Sequence, residues 1–279
     1  MSEPPLQAQI DAAGAYEALF VPALFGQWAA RVADIAQIKP GQRVLDVACG
    51  TGILAREIAP RTGSAGHVVG IDASPGMLAV AKELESSIEW REASAESLPF
   101  PDRSFDMVAS QFGLMFFTDR HRAIREMLRV LIPNGRLVVA VWDSLDNNPA
   151  YAAEVALLER VGGQRAADAV RAPFVLGDRH NLARLFEDAG AKAVEVTTHQ
   201  GMAQFPSIRV MVEADLRGWL PVMGVMLTEE EISRILHDAE PALSSYATTD
   251  KRIAFPLSAH LVTASRPTDS TRAVQETVA

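Results

Sequence analysis

The chain has 279 residues, and 48% of them are hydrophobic, which is enough to bury one sizeable core and excludes predominant disorder. Its formal net charge of −9 at pH 7 argues against a surface that neutralises nucleic-acid phosphates. Cys49 is the only cysteine, so an intrachain disulfide and a thiolate metal cluster are excluded, and no metal site is predicted.

The N-terminal segment is not expected to be a secretory signal. The N-terminal segment lacks the basic start and apolar run of a secretory signal, and no stretch approaches the ~20 apolar residues of a membrane helix. A cytoplasmic location without stable membrane insertion is therefore expected. Residues 1–38 are predicted to form one or two helices that cover the sheet, and the polar residues 267–279 are predicted to be disordered.

From residue 43 to residue 142, short apolar runs alternate with helical patterns, which is typical of βαβ units in a parallel sheet. Right-handed crossovers then place helices on both faces. The turn Pro133-Asn134-Gly135 is predicted to end the last of these helices and lead into a strand. The predicted strands are 43–48, 67–72, 88–92, 105–111 and 136–142, and the helices are 53–59, 75–85 and 120–131.

Beyond residue 142 the pattern is less regular. Gly190 is predicted to stop a helix, and Thr228 to cap another one whose first turn is acidic. Helices are predicted over 150–160 and 182–190 and within 207–240, and strands over 192–199 and 255–265.

A glycine-rich loop follows the first predicted strand. Residues 46–55 read DVACGTGILA, and Gly50 to Ala55 match the nucleotide-binding pattern G-x-G-x-x-G/A. Such a loop presents free backbone N–H groups to a ligand, and Asp72, at the end of the second strand, is placed to accept hydrogen bonds from ribose hydroxyls. These two features alone do not separate an NAD(P)-dependent oxidoreductase from a protein that binds S-adenosylmethionine.

Asp46 separates the two alternatives. It lies four residues before Gly50, at the end of the strand, where a carboxylate would repel a diphosphate but attract the ammonium group of a methionine moiety. This charge argument favours S-adenosylmethionine. A protein that binds this molecule as a sensor or structural ligand, without methyl transfer, remains a third alternative.

Four sequence blocks then resemble the class I S-adenosylmethionine-dependent methyltransferases, in particular the type 11 group that includes the ubiquinone/menaquinone C-methyltransferases. They are VLDVACGTG (44–52), VVGIDASPGML (68–78), SAESLPFPDRSFDMV (94–108) and RVLIPNGRLVV (129–139). The resemblance implies a Rossmann-like, doubly wound α/β sheet of seven strands with the last strand antiparallel. It further implies a domain over 39–266, with a helical lid at about 206–250 between strands six and seven.

The resemblance also implies roles for single residues in binding S-adenosylmethionine. Asp72 would bind the ribose, and Phe20, together with Tyr16 and Trp28, could contact the sulfonium through cation–π attraction. Two positions depart from the pattern, since Ala48 stands where glycine is common and Ser94 where aspartate is usual. The other implied contacts are to the methionine part (Asp46, Ala48, Gly50, Gly52 and Gln111), the adenine faces (Ala73 and Met77) and the adenine edge (Ser94 and Ala95).

The sequence identifies no catalytic base. Methyl transfer is an in-line displacement that depends mainly on orientation, and a proton must leave only if the acceptor is a hydroxyl or an acidic carbon. His199 is the least weak candidate, but ordinary surface or core roles explain each of the six histidines.

The acceptor site is predicted from two apolar segments. Residues 219–227 read WLPVMGVML, and Met202, Met211, Met223 and Met226 suit an adaptable apolar wall, although core or homodimer packing explains them nearly as well. Together with residues 16–28 they predict a closed pocket for a small, largely apolar or aromatic molecule methylated at oxygen, carbon or nitrogen. No nucleic-acid acceptor is expected.

Overall fold

A computed structural model describes residues 5–268; residues 1–4 and 269–279 lie outside the described part, and with them most of the predicted disordered tail. The seven strands form one sheet in the order β3-β2-β1-β4-β5-β7-β6. β7 is antiparallel to both of its neighbours, whereas the strands from β3 to β5 pair in parallel. The predicted Rossmann-like sheet with an antiparallel last strand is confirmed.

The alternation of strands and helices follows the predicted order. The strands are β1 Arg43–Val47, β2 His67–Asp72, β3 Glu89–Glu92, β4 Phe105–Gln111, β5 Leu131–Trp142, β6 Lys192–Phe205 and β7 Ile253–Ser265. The helices of the first half are α1 Leu6–Phe20, α2 Gly26–Ala36, α3 Ile53–Thr62, α4 Pro75–Leu84 and α5 Arg120–Val130. Those of the second half are α6 Pro149–Val161, α7 Gln164–Arg171, α8 Arg179–Asp188, α9 Ile208–Ala214, α10 Leu220–Val222 and α11 Glu229–Leu243.

Two π-helical turns interrupt the helices. One, Val21–Phe25, joins α1 to α2, and the other, Asp215–Trp219, joins α9 to α10. Such turns are rare in proteins, and those that occur are often found at functional sites. Both belong to the helical segments that were predicted to cover the site, one before the sheet and one between β6 and β7.

The predicted turn before β5 is wrong. α5 ends at Val130, and β5 begins at once with Leu131, which pairs with Phe105 before the register shifts. Residues 132–135 are therefore a bulge inside a longer strand. The backbone of Arg266, beyond the end of β7, holds this bulge: its N–H donates to Gly135 and its carbonyl accepts from Asn134.

The end of β6 and the presence of α7 also differ from the prediction. β6 continues to Phe205 because it pairs with β7 along its whole length. Beyond residue 199, Gly201 and the exposed Met202 interrupt the alternation of polar and apolar residues that would have revealed the strand. α7 was not predicted, since QRAADAVR is short and its buried side is made mainly of small alanine side chains.

Helix caps account for two of the histidines. Asp119 and Asp178 accept hydrogen bonds from the backbone N–H groups of Arg122 and Asn181, and so cap α5 and α8. His121 and His180 follow these caps in the first turns of their helices, as predicted. Thr228 forms the expected capping box with Glu231 at the start of α11.

Candidate active site

The glycine loop joins β1 to α3 in a conformation that leaves room above it. Ala48, Gly50 and Gly52 all have positive φ, at 56°, 56° and 86°. A Cβ atom at Gly50 would meet nothing within 4 Å, so the backbone there borders open space. Ala48 adopts this backbone despite its side chain, and the loop after β4 packs against it, since a Cβ at Gly113 would lie 2.6 Å from that of Ala48.

The Trp90 indole packs against the glycine loop and β2. A Cβ at Gly52 would lie 2.4 Å from Cη2 of the Trp90 indole, and one at Gly70 would lie 2.3 Å from its Cζ3. The indole N–H donates to the carbonyl of Glu85 at 2.8 Å, which fixes the ring in this position. Cys49 is buried beside Gly70, consistent with the small packing role expected of it.

We expect Gly52→Ala to lower the free energy of unfolding by about 2 to 4 kcal/mol. About 1 kcal/mol would come from the left-handed backbone and the rest from overpacking against Trp90. Gly41→Ala is the matched control, because Gly41 has φ +83° and open space around it. Urea denaturation measures both variants, and equal losses would contradict the proposed close contact.

Asp46 is the most unusual group near the loop. Its side chain is buried, and within residues 5–268 its carboxylate has no well-formed hydrogen bond, only a weaker interaction with the backbone N–H of Ala55. Burial, with a smaller contribution from Asp72, raises the pKa of Asp46 to about 8, although the backbone N–H of Ala55 partly offsets this. An unpaired buried carboxyl fits a ligand with a positive charge, as a methionine moiety has, and opposes a diphosphate.

Asp72 connects β2 to the loop. Its two oxygens accept from the backbone N–H groups of Gly50 at 2.8 Å and Ser74 at 2.9 Å. Burial raises the pKa of Asp72, and these two N–H groups oppose the rise. The carboxylate therefore already lies beside the glycine loop, at the place where a ribose would be held.

The residues expected around the adenine lie next to Asp72. Ala73 is exposed directly after it, and Met77 is half-buried in the first turn of α4. The backbone N–H of Ala93 donates to the carbonyl of Asp72, which brings the segment after β3 alongside. Ser94 is exposed on this segment and Ala95 is buried. The geometry is compatible with their expected roles, which remain proposals.

An aromatic cluster borders the loop on the side of β4 and β5. The Phe112 and Trp142 rings stack with their centroids 3.7 Å apart, and Phe25 lies 5.6 Å from the first and 5.9 Å from the second. Tyr16 stacks on Phe25 at 5.4 Å. We call these four residues, together with Phe20, which lies 5.9 Å from Tyr16, the aromatic cluster.

Gln111 and Trp28 differ in how they meet this cluster. The Gln111 amide donates to the carbonyl of Phe25 at 3.3 Å, and its buried Oε1 has no partner within the described residues. This oxygen can accept a hydrogen bond from a ligand, and its expected contact with the methionine part remains a proposal. Trp28 is fully buried against the edges of Phe112 and Trp142, so it is a core residue and no contact of it with a sulfonium is proposed.

The N-terminal helix α1 is fastened over the glycine loop. Glu17 accepts a hydrogen bond of 2.5 Å from the Thr51 hydroxyl and forms an ion pair of 2.7 Å with Arg56. At the other end of α1, Gln9 packs so closely on α4 that a Cβ at Gly76 would lie 2.6 Å from it. A ligand that enters above the loop must therefore pass α1. We propose that the contacts of Glu17 with Thr51 and Arg56 hold α1 closed over the loop.

Glu17→Gln is expected to accelerate amide hydrogen exchange in residues 6–25 by about threefold to tenfold. The partly exposed ion pair contributes only about 1 kcal/mol, so the global stability should change little. Glu57→Gln is the matched control, because it removes an ion pair of α3 with Arg61 that is unconnected to α1. Unchanged exchange in Glu17→Gln would show that α1 is held by its apolar contacts instead.

The prediction that the four methionines form one apolar wall is wrong, because they differ widely in exposure. Met211 is fully buried, whereas Met226 is 79% exposed and Met202, on the edge strand β6, is 45% exposed. Of residues 219–227, Trp219 faces inward, with its ring 5.0 Å from that of Phe116, and Leu220 is buried. The buried side chains of residues 206–250 thus come mainly from α9, the π-helical turn, α10 and one side of α11.

His199 does not lie near the loop. It is on β6, two strands away from β5, and it shares a hydrogen bond of 2.9 Å with the Thr197 hydroxyl. Burial and the charge of Arg31 lower the pKa of His199. His260 is buried on β7, where it contacts Asp143 and the Thr198 hydroxyl. Neither histidine reaches the aromatic cluster through a contact in the described structure.

Sequence reasoning missed two buried carboxyls, Glu154 on α6 and Asp215 at the start of the second π-helical turn. A signal was present. Asp215 is spaced by three or four residues from the apolar Met211 and Val212, and Glu154 follows Tyr151 at the same spacing, so both acids lie on apolar helix faces.

Comparison with protein families gives one domain match. Residues 45–139 match the family described as "Methyltransferase domain". The ubiquinone/menaquinone biosynthesis C-methyltransferase UbiE of Cronobacter sakazakii is 36% identical over 185 residues, which cover 60% of this chain and 73% of that protein. Its counterpart from Enterobacter sp. is 34% identical over 186 residues, with the same coverage.

Solved structures agree on the fold. The YcgJ protein of Bacillus subtilis superposes with a TM-score of 0.57 at 20% identity, covering 86% of this chain and 98% of that one. A Haemonchus contortus phosphoethanolamine N-methyltransferase 2, in complex with phosphomonomethylethanolamine and S-adenosylhomocysteine, gives a TM-score of 0.58 at 19% identity and covers 94% and 58%. The [4+2]-cyclase SpnF gives 0.53 at 22% identity, covering 87% and 82%.

The buried carboxyl of Asp46, the position of Asp72 and the identity to the UbiE proteins all favour a methyl donor over a dinucleotide, so the NAD(P) alternative is dropped. Within the described residues, no helix is long and apolar enough to cross a membrane. The chain belongs to the class I S-adenosylmethionine-dependent methyltransferases, in the type 11 group that includes the ubiquinone/menaquinone C-methyltransferases.

Proposed function

We propose that this methyltransferase acts on a small, largely apolar, hydroxylated aromatic molecule of the quinol type. The observation that carries the proposal is the aromatic cluster, which borders the glycine loop between the N-terminal cover and the ends of β4 and β5. Aromatic side chains favour flat, apolar ligands through stacking and edge contacts. The UbiE relatives, named for ubiquinone and menaquinone, support the same class of acceptor.

The residues of this chain would contribute by binding and orientation. When bound, S-adenosylmethionine supplies an electrophilic methyl group on a sulfonium. We propose that Asp46 and Asp72 orient its charged and ribose ends, that the aromatic cluster holds the acceptor in line, and that α1 and the π-helical turn of the lid exclude water. Alignment of this kind contributes up to about 7 to 11 kcal/mol in favourable cases.

The test is transfer of a labelled methyl group from S-adenosylmethionine to a panel of acceptors. A prenylated 1,4-naphthoquinol without a ring methyl group should be methylated, whereas phosphoethanolamine and sarcosine should not. Methylation of the polar acceptors alone would overturn the proposed acceptor class. Tight binding of S-adenosylmethionine without transfer to any of them would favour the non-methylating alternative.

A further inference from the structure

Two carboxyl side chains are buried together beneath the lid. Glu154 has no exposed surface, and Asp215 keeps 5% of its surface exposed. Within residues 5–268, both Glu154 oxygens and Oδ2 of Asp215 lack an N–H or O–H donor from any other group. Burial raises the pKa of both groups, and the hydrogen bond between them requires one shared proton. Because burial raises the pKa of Asp215 to about 7, the pair carries at most one negative charge at neutral pH.

This pair is costly if its only role is structural. Buried carboxyls are normally balanced by a cation or by several donors, because unpaired charge is strongly disfavoured in the interior. No ion pair among the described residues includes Glu154 or Asp215. Tyr151, one turn before Glu154 on α6, is the other titratable group within electrostatic range of the pair. The pair is thus acidic and available to a donor from a ligand.

The π-helical turn that carries Asp215 lies beside the acceptor side. Asp215 is its first residue, and Gly218 and Trp219 are its last two. The Trp219 ring contacts Phe116, just after β4, and a Cβ at Gly218 would lie 3.7 Å from the Phe20 ring. The turn that carries Asp215 therefore borders the aromatic cluster, and Asp215 is the partly exposed member of the pair.

We propose that Asp215 is a catalytic residue that accepts the proton of the acceptor's hydroxyl group, and that Glu154 is the positioning residue behind it. The proposal rests on the proposed function for the hydroxyl-bearing acceptor. The acceptor O–H bond breaks, and its proton passes to the Asp215 carboxylate. The electron pair left on the oxygen, or on a ring carbon conjugated to it, forms the bond to the methyl group. If a ring carbon is methylated, the proton on that carbon then leaves to solvent and the oxygen takes up a proton, which restores the aromatic ring. The bond from methyl to sulfur breaks, and its electron pair stays on the resulting thioether.

The first experiment needs no turnover. The probe is 2-naphthol, a weak hydroxy-aromatic acid, bound in the presence of S-adenosylhomocysteine and titrated by absorbance from about pH 7 to about pH 10. In the wild type the negative carboxyl pair should oppose a second negative charge. Bound naphthol should therefore ionise about one pH unit higher in the wild type than in Asp215→Asn, a tenfold change in its acid constant.

Glu213→Gln is the matched control. Glu213 lies two residues before Asp215 but forms ion pairs with arginines on the surface, and its loss should leave the naphthol titration at the wild-type position. Identical titrations of bound naphthol in the wild type and Asp215→Asn would overturn the proposal, as would failure of the wild type to bind naphthol. If Asp215→Asn does not fold, Glu154→Gln, which keeps Asp215, should shift the titration in the same direction by a smaller amount.

The second experiment is the pH profile of methyl transfer to the naphthoquinol. Asp215→Asn should lower kcat by about 100-fold or more, with KM within about threefold, because a general base contributes about 10²-fold to 10⁴-fold. The remaining rate should rise with pH as the acceptor ionises by itself. An equal loss at every pH, with an unchanged profile, would indicate a structural role instead. If the wild type does not methylate the naphthoquinol, the proposed function fails, while the naphthol titration still tests the carboxyl pair.

Discussion

Asp46→Asn is expected to weaken the binding of S-adenosylmethionine by about 10-fold to about 100-fold, and to remove a proton that binding otherwise releases. The loss of affinity corresponds to about 1.4 to 2.7 kcal/mol, the range of a hydrogen bond to a charged group. In the ligand-free protein the pKa of Asp46 is raised to about 8, so the group is mostly protonated at pH 7. A positive ligand beside it favours the carboxylate and expels the proton.

Calorimetry in buffers of different ionisation enthalpy measures this proton directly. At pH 7 the wild type should release nearly one proton more than Asp46→Asn on binding. The difference should fall by about half near pH 8 and vanish at higher pH, where Asp46 is already ionised. The comparison between the two proteins cancels protons that belong to the ligand or to Asp72. Equal proton release at pH 7 would show that Asp46 does not face the charge of the ligand.

The raised pKa of Asp46 also makes the stability of the ligand-free protein depend on pH. The folded state holds the Asp46 proton more tightly than the unfolded state, so stability is lost as the pH rises from the ordinary aspartate range to about 8. Asp46→Asn should remove this loss. The variant is therefore expected to unfold at a higher temperature than the wild type above about pH 8, although it binds the methyl donor less well.

Asp72→Asn should lower the affinity for S-adenosylmethionine by about 100-fold or more. The proposed carboxylate acceptor for the ribose hydroxyls would lose one oxygen, and the new amide would place a donor against the Gly50 or Ser74 N–H groups. Binding and the conformation of the loop would therefore be affected together. Titration calorimetry gives the affinity, and amide exchange of residues 48–52 reports on the loop.

Asp106→Asn is the control for this variant. Asp106 also accepts a hydrogen bond from a backbone N–H, that of Arg43 at 2.7 Å. This contact lies at the opposite end of the strands from the glycine loop. Its replacement should reduce stability and leave the affinity for S-adenosylmethionine unchanged. Similar affinities of Asp72→Asn and the wild type would remove Asp72 from the binding site.

Most of the sheet could be predicted from the sequence because its signals are local. β1, β2 and β4 are short apolar runs bounded by polar and glycine-rich segments, and their residues lie within one position of the prediction. The start of β5 was missed because its bulge depends on the backbone of Arg266, which is more than 100 residues away in the chain. No local pattern contains that information.

The candidate site divides in the same way. The glycine loop and Asp72 follow from a motif, and the positions of Gly50 and Asp72 agree with it. Glu154 and Asp215 were missed because acids within helices are usually solvated. Their meeting depends on how the lid folds onto α6. The methionine wall was wrong for a related reason, since residue type alone does not tell which of Met211 and Met226 is buried.

The central claim is that a positively charged methionine group lies against Asp46 and a ribose against Asp72. The most direct measurement is a crystal structure of the protein with S-adenosylhomocysteine. We expect the amino group of the ligand within reach of the Asp46 carboxylate, directly or through one water, and the ribose hydroxyls on Asp72. S-adenosylhomocysteine bound elsewhere would contradict the account. So would crystals in which S-adenosylhomocysteine leaves the loop empty while a dinucleotide, soaked in parallel, fills it.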